Sequence, residues 1–126
     1  MIFDNNLSYE NLDFKNNNFK KILFIFNKDR EIELSEKVIN FKYKLINDQI
    51  QKFKKTSIDC EIINIDQIKY IDENIYAIYP YVGENLNYLS SNGFKNIKFL
   101  YRKIDKYSWK FCNKGFFNFK NYIPKI

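Results

Sequence analysis

The side chains best suited to chemistry in this chain are the cations and aromatic rings of residues 93–126. Nine Lys and Arg residues stand against one acid there, so this segment carries about +8, whereas the whole chain carries only +6. Ten aromatic residues lie between those charges. Because cations attract phosphate, and flat rings stack on bases or lie at a membrane interface, the segment predicts a contact surface for RNA or another polyanion.

The candidate contact residues of this segment are Lys95, Lys98, Arg102, Lys103, Lys106, Lys110, Lys114, Lys120, Tyr101 and Trp109. The residues that recur at spacings of three and four are Trp109, Cys112, Phe116, Phe119 and Ile123. If Asp105 is an N-cap, these positions predict a helix with an aromatic face opposite a basic face. Two alternatives leave the cations exposed as well: an aromatic face docked on the sheet with solvated lysines, and a loose tail broken at Gly115.

The residue types of common catalytic and metal sites are missing. The chain has no histidine and two cysteines, which excludes a Ser-His-Asp triad, the usual haem ligands and a zinc site closed within one chain. Its three glycines form neither a dinucleotide-binding fingerprint nor a P-loop. We therefore expect no catalytic residue, no cofactor and no metal.

Residues 80–85 are the remaining candidate for a ligand site. This loop opens a helix at the carboxyl end of a strand, where ligands bind in open α/β sheets. Glu84 places a negative charge at the start of that helix, which stabilises the helix and opposes an incoming phosphate. The loop therefore predicts an ordinary strand-to-helix turn.

The charge is distributed unevenly along the chain. Residues 1–55 carry +3, residues 56–92 carry −5 and residues 93–126 carry about +8. The abundance of Asn, Lys, Ile, Phe and Tyr indicates an A/T-rich genome and explains part of the lysine content, but uniform codon bias does not separate the signs. The separation favours a polyanionic partner.

The expected location is intracellular. Cys60 and Cys112 are too few and too far apart for a disulfide framework, so we expect reduced, buried thiols. The N-terminus resembles neither a secretory signal nor a transit peptide, and the longest apolar run, residues 22–26, is too short to span a membrane. This predicts the cytoplasm of a low-GC bacterium, or the matrix of an organelle such as a mitochondrion that encodes the protein itself.

Hydrophobic patterns predict an irregular arm at 1–19 and a single domain at 20–126. The predicted elements are a strand at 21–27, a helix at 35–55 capped by Ser35, strands at 58–65 and 75–79, a helix at 84–91 stopped by Gly93, and a strand at 94–101. The apolar positions of the long helix are Leu34, Val38, Phe41, Leu45, Ile46, Ile50 and Phe53. Their spacing of three and four is typical of an amphipathic helix.

The stretch 66–74 decides between two folds. If it is helical and crosses the sheet, the fold is a three-layer α/β sandwich with a mostly parallel sheet and a basic aromatic C-terminal helix. If it only turns back, the fold is a ferredoxin-like split β-α-β in the α+β class. The strands on either side are apolar on both faces, which favours the parallel α/β sandwich.

Residues 86–109 resemble the second half of rhodanese-like sulfurtransferase domains. The resemblance is carried by the run from Asn92 to Ile97, in which a helix ends in a Gly-Phe turn before a strand, and by Trp109 after that strand. The family would place a reactive cysteine at the loop after the third strand, where this chain has Pro80-Tyr81-Val82-Gly83. The resemblance thus implies at most a shared fold without sulfurtransferase activity.

Three functions follow from these patterns. The leading expectation is a non-enzymatic RNA-binding or structural component of a ribonucleoprotein assembly, such as a ribosomal protein, that also contacts other protein subunits. The second is an accessory subunit of a membrane-associated complex, with lysines near lipid headgroups. The third is a small α/β enzyme or a degenerate rhodanese-like domain.

Overall fold

The computed structural model describes residues 1–7, 19–28, 30–112, 120 and 123. In chain order the elements are β1 (Ile2–Phe3), β2 (Lys21–Phe26), α1 (Glu36–Phe53), β3 (Asp59–Asn64), a 3₁₀ helix (Ile65–Tyr70), β4 (Ile75–Ile78), α2 (Glu84–Asn92), β5 (Ile97–Leu100) and α3 (Lys103–Trp109). Within these stretches no helix has the length and apolar character needed to cross a membrane.

Every described strand pair is parallel. β1, β2 and β3 form one sheet in that order, and β4 pairs with β5. The two sheets meet at β1 and β4: the Ile78 amide donates to the Met1 carbonyl oxygen at 3.0 Å, and the Met1 amino group donates to the Tyr76 carbonyl oxygen at 2.5 Å. Met1 thus bonds to the two residues on either side of Ala77, which is the hydrogen-bond pattern of parallel strands. Across both sheets the strand order is therefore β3-β2-β1-β4-β5.

The parallel sheet confirms the predicted α/β class. α1 connects β2 to β3, the 3₁₀ helix leads from β3 towards β4, and α2 connects β4 to β5. Parallel neighbours need such crossover connections, whereas the ferredoxin-like alternative requires antiparallel neighbours. The stretch 66–74, which decided between the two folds, is helical as far as Tyr70.

Two apolar cores lie on opposite faces of the sheet. On one face, Phe24 and Phe26 of β2 pack with Ile46 and Phe53 of α1. On the other, Ile25 packs with buried residues of β1, β3, the 3₁₀ helix, β4 and α2: Phe3, Ile63, Ile65, Ile68, Ala77 and Leu89. Successive side chains of a strand point to opposite faces, so the apolar run of β2 serves both cores, and the fold has three layers.

The predicted ends of two helices are confirmed. The Ser35 hydroxyl accepts a hydrogen bond from the Val38 amide at 3.4 Å, which satisfies one of the free donors at the start of α1. α2 ends at Asn92, and the φ of 61° at Gly93, its C-cap, lies in the left-handed region that glycine adopts at little cost. Serine before α1 and glycine after α2 therefore fix the bounds of these helices.

The first residues differ from the expected irregular arm. Ile2 and Phe3 are buried in β1, which lies between β2 and β4 at the centre of the layer. A strand of two residues has too little alternation to be recognised by pattern. Residues 8–18 of the expected arm lie outside the described residues.

The buried face of α1 and the extent of α3 also differ from expectation. The sheet-facing line of α1 is Ile39, Tyr43, Ile46, Ile50 and Phe53. Val38, Phe41 and Leu45 of the expected apolar face are instead 40%, 60% and 40% exposed.

α3 begins at Lys103 with Arg102 at the N-cap position, so Asp105 lies in its first turn and is not the cap. α3 also ends at Trp109, so the predicted aromatic arc does not continue as one helix from Trp109 to Cys112, and Phe116 and Phe119 lie outside the described residues.

Candidate nucleic-acid interface

The carboxyl end of β5 delivers part of the predicted contact segment to one place. Tyr101 and Arg102 follow β5 directly, and α3 then presents Lys103 and Lys106, with Lys110 at its C-cap position. Spacings of three and four put these lysines on the same side of the helix, and all three are exposed. The basic aromatic surface, defined here as Tyr101, Trp109 and these three lysines, is thus built by one strand end and one short helix.

Four rings hold each other at this surface. The centroid of Tyr79 lies 4.9 Å from that of Tyr101 and 5.7 Å from that of Trp109, and the Tyr101 and Trp109 centroids are 5.5 Å apart. Tyr81 approaches Trp109 edge to face at 6.4 Å. Such pairs contribute about 0.5–1.5 kcal/mol each beyond their burial. The cluster therefore fixes Tyr101 and Trp109 in place although they remain 37% and 40% exposed.

Arg102 is held within the protein. Its Nε and Nη2 donate to the two oxygens of Asp105 at 2.6 and 3.1 Å, and its guanidinium lies 5.6 Å from the centre of the Tyr81 ring. The Tyr81 hydroxyl donates to the same carboxylate. Partial burial opposes the shift, but the hydrogen bonds from Arg102 and Tyr81 keep the pKa of Asp105 below its usual range. Arg102 thus fixes the start of α3, and its charge is largely balanced.

The hydrogen bond between Tyr81 and Asp105 also affects the pKa of Tyr81. Burial, followed by the bond to Asp105, raises the pKa of Tyr81 above its ordinary value. Its hydroxyl therefore stays protonated at neutral pH and serves as a donor.

The remaining predicted cations are dispersed. Lys98 is exposed on β5, with its Nζ 5.7 Å from the centre of the Tyr76 ring, and Lys95 is exposed before the strand begins. β5 spans about 13 Å and separates Lys95, before its start, from the basic aromatic surface, after its end. Lys120 is exposed, and Lys114 lies outside the described residues.

A buried carboxylate near the same edge of the sheet escaped the sequence prediction. The Asp4 side chain, directly after β1, is fully buried. Its Oδ2 accepts from Arg30 Nη2 and Lys42 Nζ, each at 3.0 Å, and its Oδ1 accepts from Asn85 Nδ2 at 2.9 Å. Asn27 Nδ2 donates to Asn85 Oδ1 at 3.0 Å, while Asn27 Oδ1 is buried with no partner among the described residues. These five side chains are called the Asp4 cluster below.

The Asp4 cluster lies where the strand order reverses, between β1 and β4. In open α/β sheets this is the place where ligands bind. Two residues of the loop after β4 have positive φ angles, 58° at Tyr81 and 145° at Gly83. Three of the roughly four acceptor positions of the Asp4 carboxylate are occupied by protein donors. The carboxylate therefore mainly links the end of β1 to side chains of α1 and α2.

The Asp4 cluster had a weak signature in the sequence. Asp4 follows the apolar pair Ile2-Phe3, and Asn27 follows the apolar run of β2. Polar residues at the ends of buried strands indicate a shared edge of the sheet. Recognising that edge required β1 to be recognised as a strand.

The thiols also depart from expectation. Cys60 is half-buried, and burial, followed by the charge of Asp59, raises the pKa of its thiol. Cys112 is exposed, so the prediction that both thiols are buried is wrong. Its Sγ donates to the Ser108 carbonyl oxygen at 3.4 Å.

Among the described residues, no three His, Cys, Asp or Glu side chains come together in a group that could hold a metal ion. A cavity of about 620 Å³ is lined in part by Lys20, Tyr70 and Ile75, and also by Ile78 and Leu100 at the carboxyl ends of β4 and β5. None of its described lining residues belongs to the basic aromatic surface or to the Asp4 cluster.

Comparison with known proteins finds no matching family model, no similar curated protein and no similar solved structure. The resemblance of residues 86–109 to rhodanese-like domains therefore gains no support from a family match.

Proposed function

We propose that the protein is a non-enzymatic RNA-binding component of a ribonucleoprotein assembly. The observation that carries the proposal is a pair of half-exposed rings, Tyr101 and Trp109, held by neighbouring rings and bordered by exposed lysines. Base stacking on such rings contributes about 1–3 kcal/mol per base, and lysines beside them neutralise phosphates. Single-stranded RNA is the best-fitting form because its bases are free to stack.

The charge balance of the surface supports the proposal. Lys103 and Lys106 form no ion pair within the described part of the chain, and Asp105, the one acid of α3, is occupied by Arg102. Lys103 and Lys106 therefore remain available to phosphate. The proposed setting is a bacterial cytoplasm or an organelle matrix, where ribosomal and other RNA-bound proteins work.

The single tryptophan offers a direct experiment. Trp109 is the only tryptophan of the chain, so its fluorescence reports on stacking at this surface without labelling. A single-stranded poly(U) oligonucleotide should quench it, with a log–log salt slope near −2 for about three phosphate contacts on single-stranded RNA. No quenching, or binding indifferent to salt, would overturn the proposal.

A charge-matched pair of variants locates the effect. Replacing Lys103, Lys106 and Lys110 together by Gln should weaken RNA binding by at least about tenfold, because fewer phosphates are then neutralised and fewer counterions are released. Replacing Lys37, Lys44 and Lys55, all exposed on or just after α1, removes the same charge elsewhere and should leave binding nearly unchanged. If anionic vesicles bind the surface and RNA does not, the RNA-binding proposal is replaced by the alternative, an accessory subunit of a membrane-associated complex.

A small-anion site at the Asp4 cluster is the second candidate function. The strand order and the loop after β4, with its positive φ angles, favour it. Arg30 and Lys42, whose side chains are each 18% exposed, would supply the contacts. Inorganic phosphate should then raise the unfolding temperature above that in sodium chloride of equal ionic strength. Equal unfolding temperatures would reject this site.

A further inference from the structure

α1 carries two apolar lines, of which the sheet covers one. The line of Ile39, Ile46 and Phe53 packs on β2. The other, Val38, Phe41 and Leu45, follows the same spacing of three and four but is exposed to solvent. Phe41 is 60% exposed at its centre. A contiguous apolar line beside a complete core is typical of a protein contact surface.

The charges around this line change sign along the helix. Two exposed acids, Glu31 and Glu33, precede its start, and two exposed lysines, Lys52 and Lys55, stand at or just after its end. Between them the signs are reversed, with exposed Lys37 in the first turn and exposed Asp48 closer to the end. None of these six side chains forms an ion pair within the described residues. Each charge in the first half of this surface therefore has an opposite charge at the matching place in the second half, so the surface is complementary to itself turned through 180°.

We propose that α1 pairs with α1 of a second copy of the chain, antiparallel, across a twofold axis near residue 43, between Phe41 and Leu45. The axis would set Phe41 of each copy against Leu45 of the other. It would also place Glu33 of each copy near Lys52 of its partner, and Lys37 near Asp48. Such an isologous contact closes as a dimer, and antiparallel helix dipoles favour it.

The size of the surface sets the strength of the dimer. An 18-residue helix is about 27 Å long, so one helix face falls at the low end of interface areas. We therefore expect a dissociation constant in the range of about 1–100 µM.

Sedimentation velocity over about 5–500 µM protein tests the pairing directly, because the sedimentation coefficient should rise with concentration across the expected dissociation constant. Phe41→Lys should weaken association by at least about tenfold, because it buries a charge at the centre of the contact. Val82→Lys is the matched control, since Val82 is 92% exposed in the loop after β4. A wild-type chain that stays monomeric over this range overturns the proposal.

Charge reversal tests the orientation and does not depend on Phe41. Glu33→Lys and Lys52→Glu should each weaken self-association, because each places like charges across the axis. Mixing the two variant chains should restore it, since every cross-axis pair is then opposite in charge. A mixture that associates no better than either variant alone would reject the antiparallel arrangement.

Discussion

The Asp4 cluster and the basic aromatic surface both follow the carboxyl ends of strands, yet the charge of the first is buried and paired, whereas the charges of the second are exposed. The Asp4 carboxylate is fully buried, with two cations and an amide as partners. The lysines of α3 are exposed, and no acid pairs with Lys103 or Lys106 among the described residues. Burial makes an unpaired charge costly, whereas water solvates an exposed charge at little cost.

This difference separates stability from binding. A buried charge that loses its partners destabilises the fold, because nothing replaces the lost water. An exposed cation can exchange its water and counterions for a phosphate, and counterion release drives that exchange. We therefore expect the Asp4 cluster to contribute more to folding, and the basic aromatic surface to contribute more to contacts with other macromolecules.

The largest effect is expected for Asp4→Ala. It leaves Arg30 and Lys42 without their carboxylate and should lower the free energy of unfolding by about 3–5 kcal/mol. Urea denaturation measures the loss, and Asp48→Ala, an exposed acid of α1, should change stability by less than about 0.5 kcal/mol. Equal losses for the two variants would mean that the Asp4 cluster contributes no more than surface charge.

The buried Met1 amino group should give the next largest effect. Desolvation lowers its pKa from 8.0 to about 5, so between these values the unfolded chain holds a proton that the folded chain has released. Stability should then rise by about 2–4 kcal/mol from pH 5 to pH 8.

The chain has no histidine, so no imidazole titrates in this interval. Urea midpoints measured across it should flatten when the amino group is acetylated, whatever the absolute stability of the acetylated chain. A slope that survives acetylation would assign the pH dependence to another group.

Trp109→Ala should have an intermediate effect on stability and a strong effect on binding. The ring is 40% exposed, so its loss should cost about 1–2 kcal/mol, less than the roughly 3–5 kcal/mol expected for the fully buried Phe24→Ala. RNA binding, followed by anisotropy of a labelled oligonucleotide, should weaken for Trp109→Ala only. If Trp109→Ala destabilised the protein as much as Phe24→Ala, the ring would be core and not a contact residue.

The smallest effect on stability is expected for the triple replacement of Lys103, Lys106 and Lys110 by Gln. Exposed charges contribute little to folding, so the unfolding free energy should change by less than about 0.5 kcal/mol. Thermal unfolding provides the measurement. A large loss would show that these lysines stabilise α3 and would remove the contrast with the Asp4 cluster.

The sequence predicted the elements that carry their own periodicity. β2 was recognisable from its continuous apolar run, and α1 from its length, its spacing and Ser35. The face of α1 was not predictable, because its two apolar lines have the same spacing and only packing on β2 selects between them. β1 was missed because two residues show no periodicity. The Asp4 cluster was missed as a result, because Asp4 is recognisable only as the residue that ends a strand.

The basic aromatic surface was predicted by composition and corrected in its details. Lys103, Lys106 and Trp109 lie on one short helix, α3, whereas Arg102 is occupied by Asp105. A sequence shows which cations are present, but the pairing of each depends on the start of α3, which differed from the prediction. The function proposed for this surface remains a prediction.

The central position of β1 has a consequence for the order of folding. Met1 is bonded to Tyr76, which is made 75 residues later. β2, α1 and β3 are contiguous and can form while later residues are still being synthesised, but β1 gains its second neighbour only when β4 appears. Contacts this distant in sequence slow folding, because the chain between them must first be closed into a loop. We expect the junction of β1 and β4 to form last, leaving both strand edges open to unwanted pairing until it does.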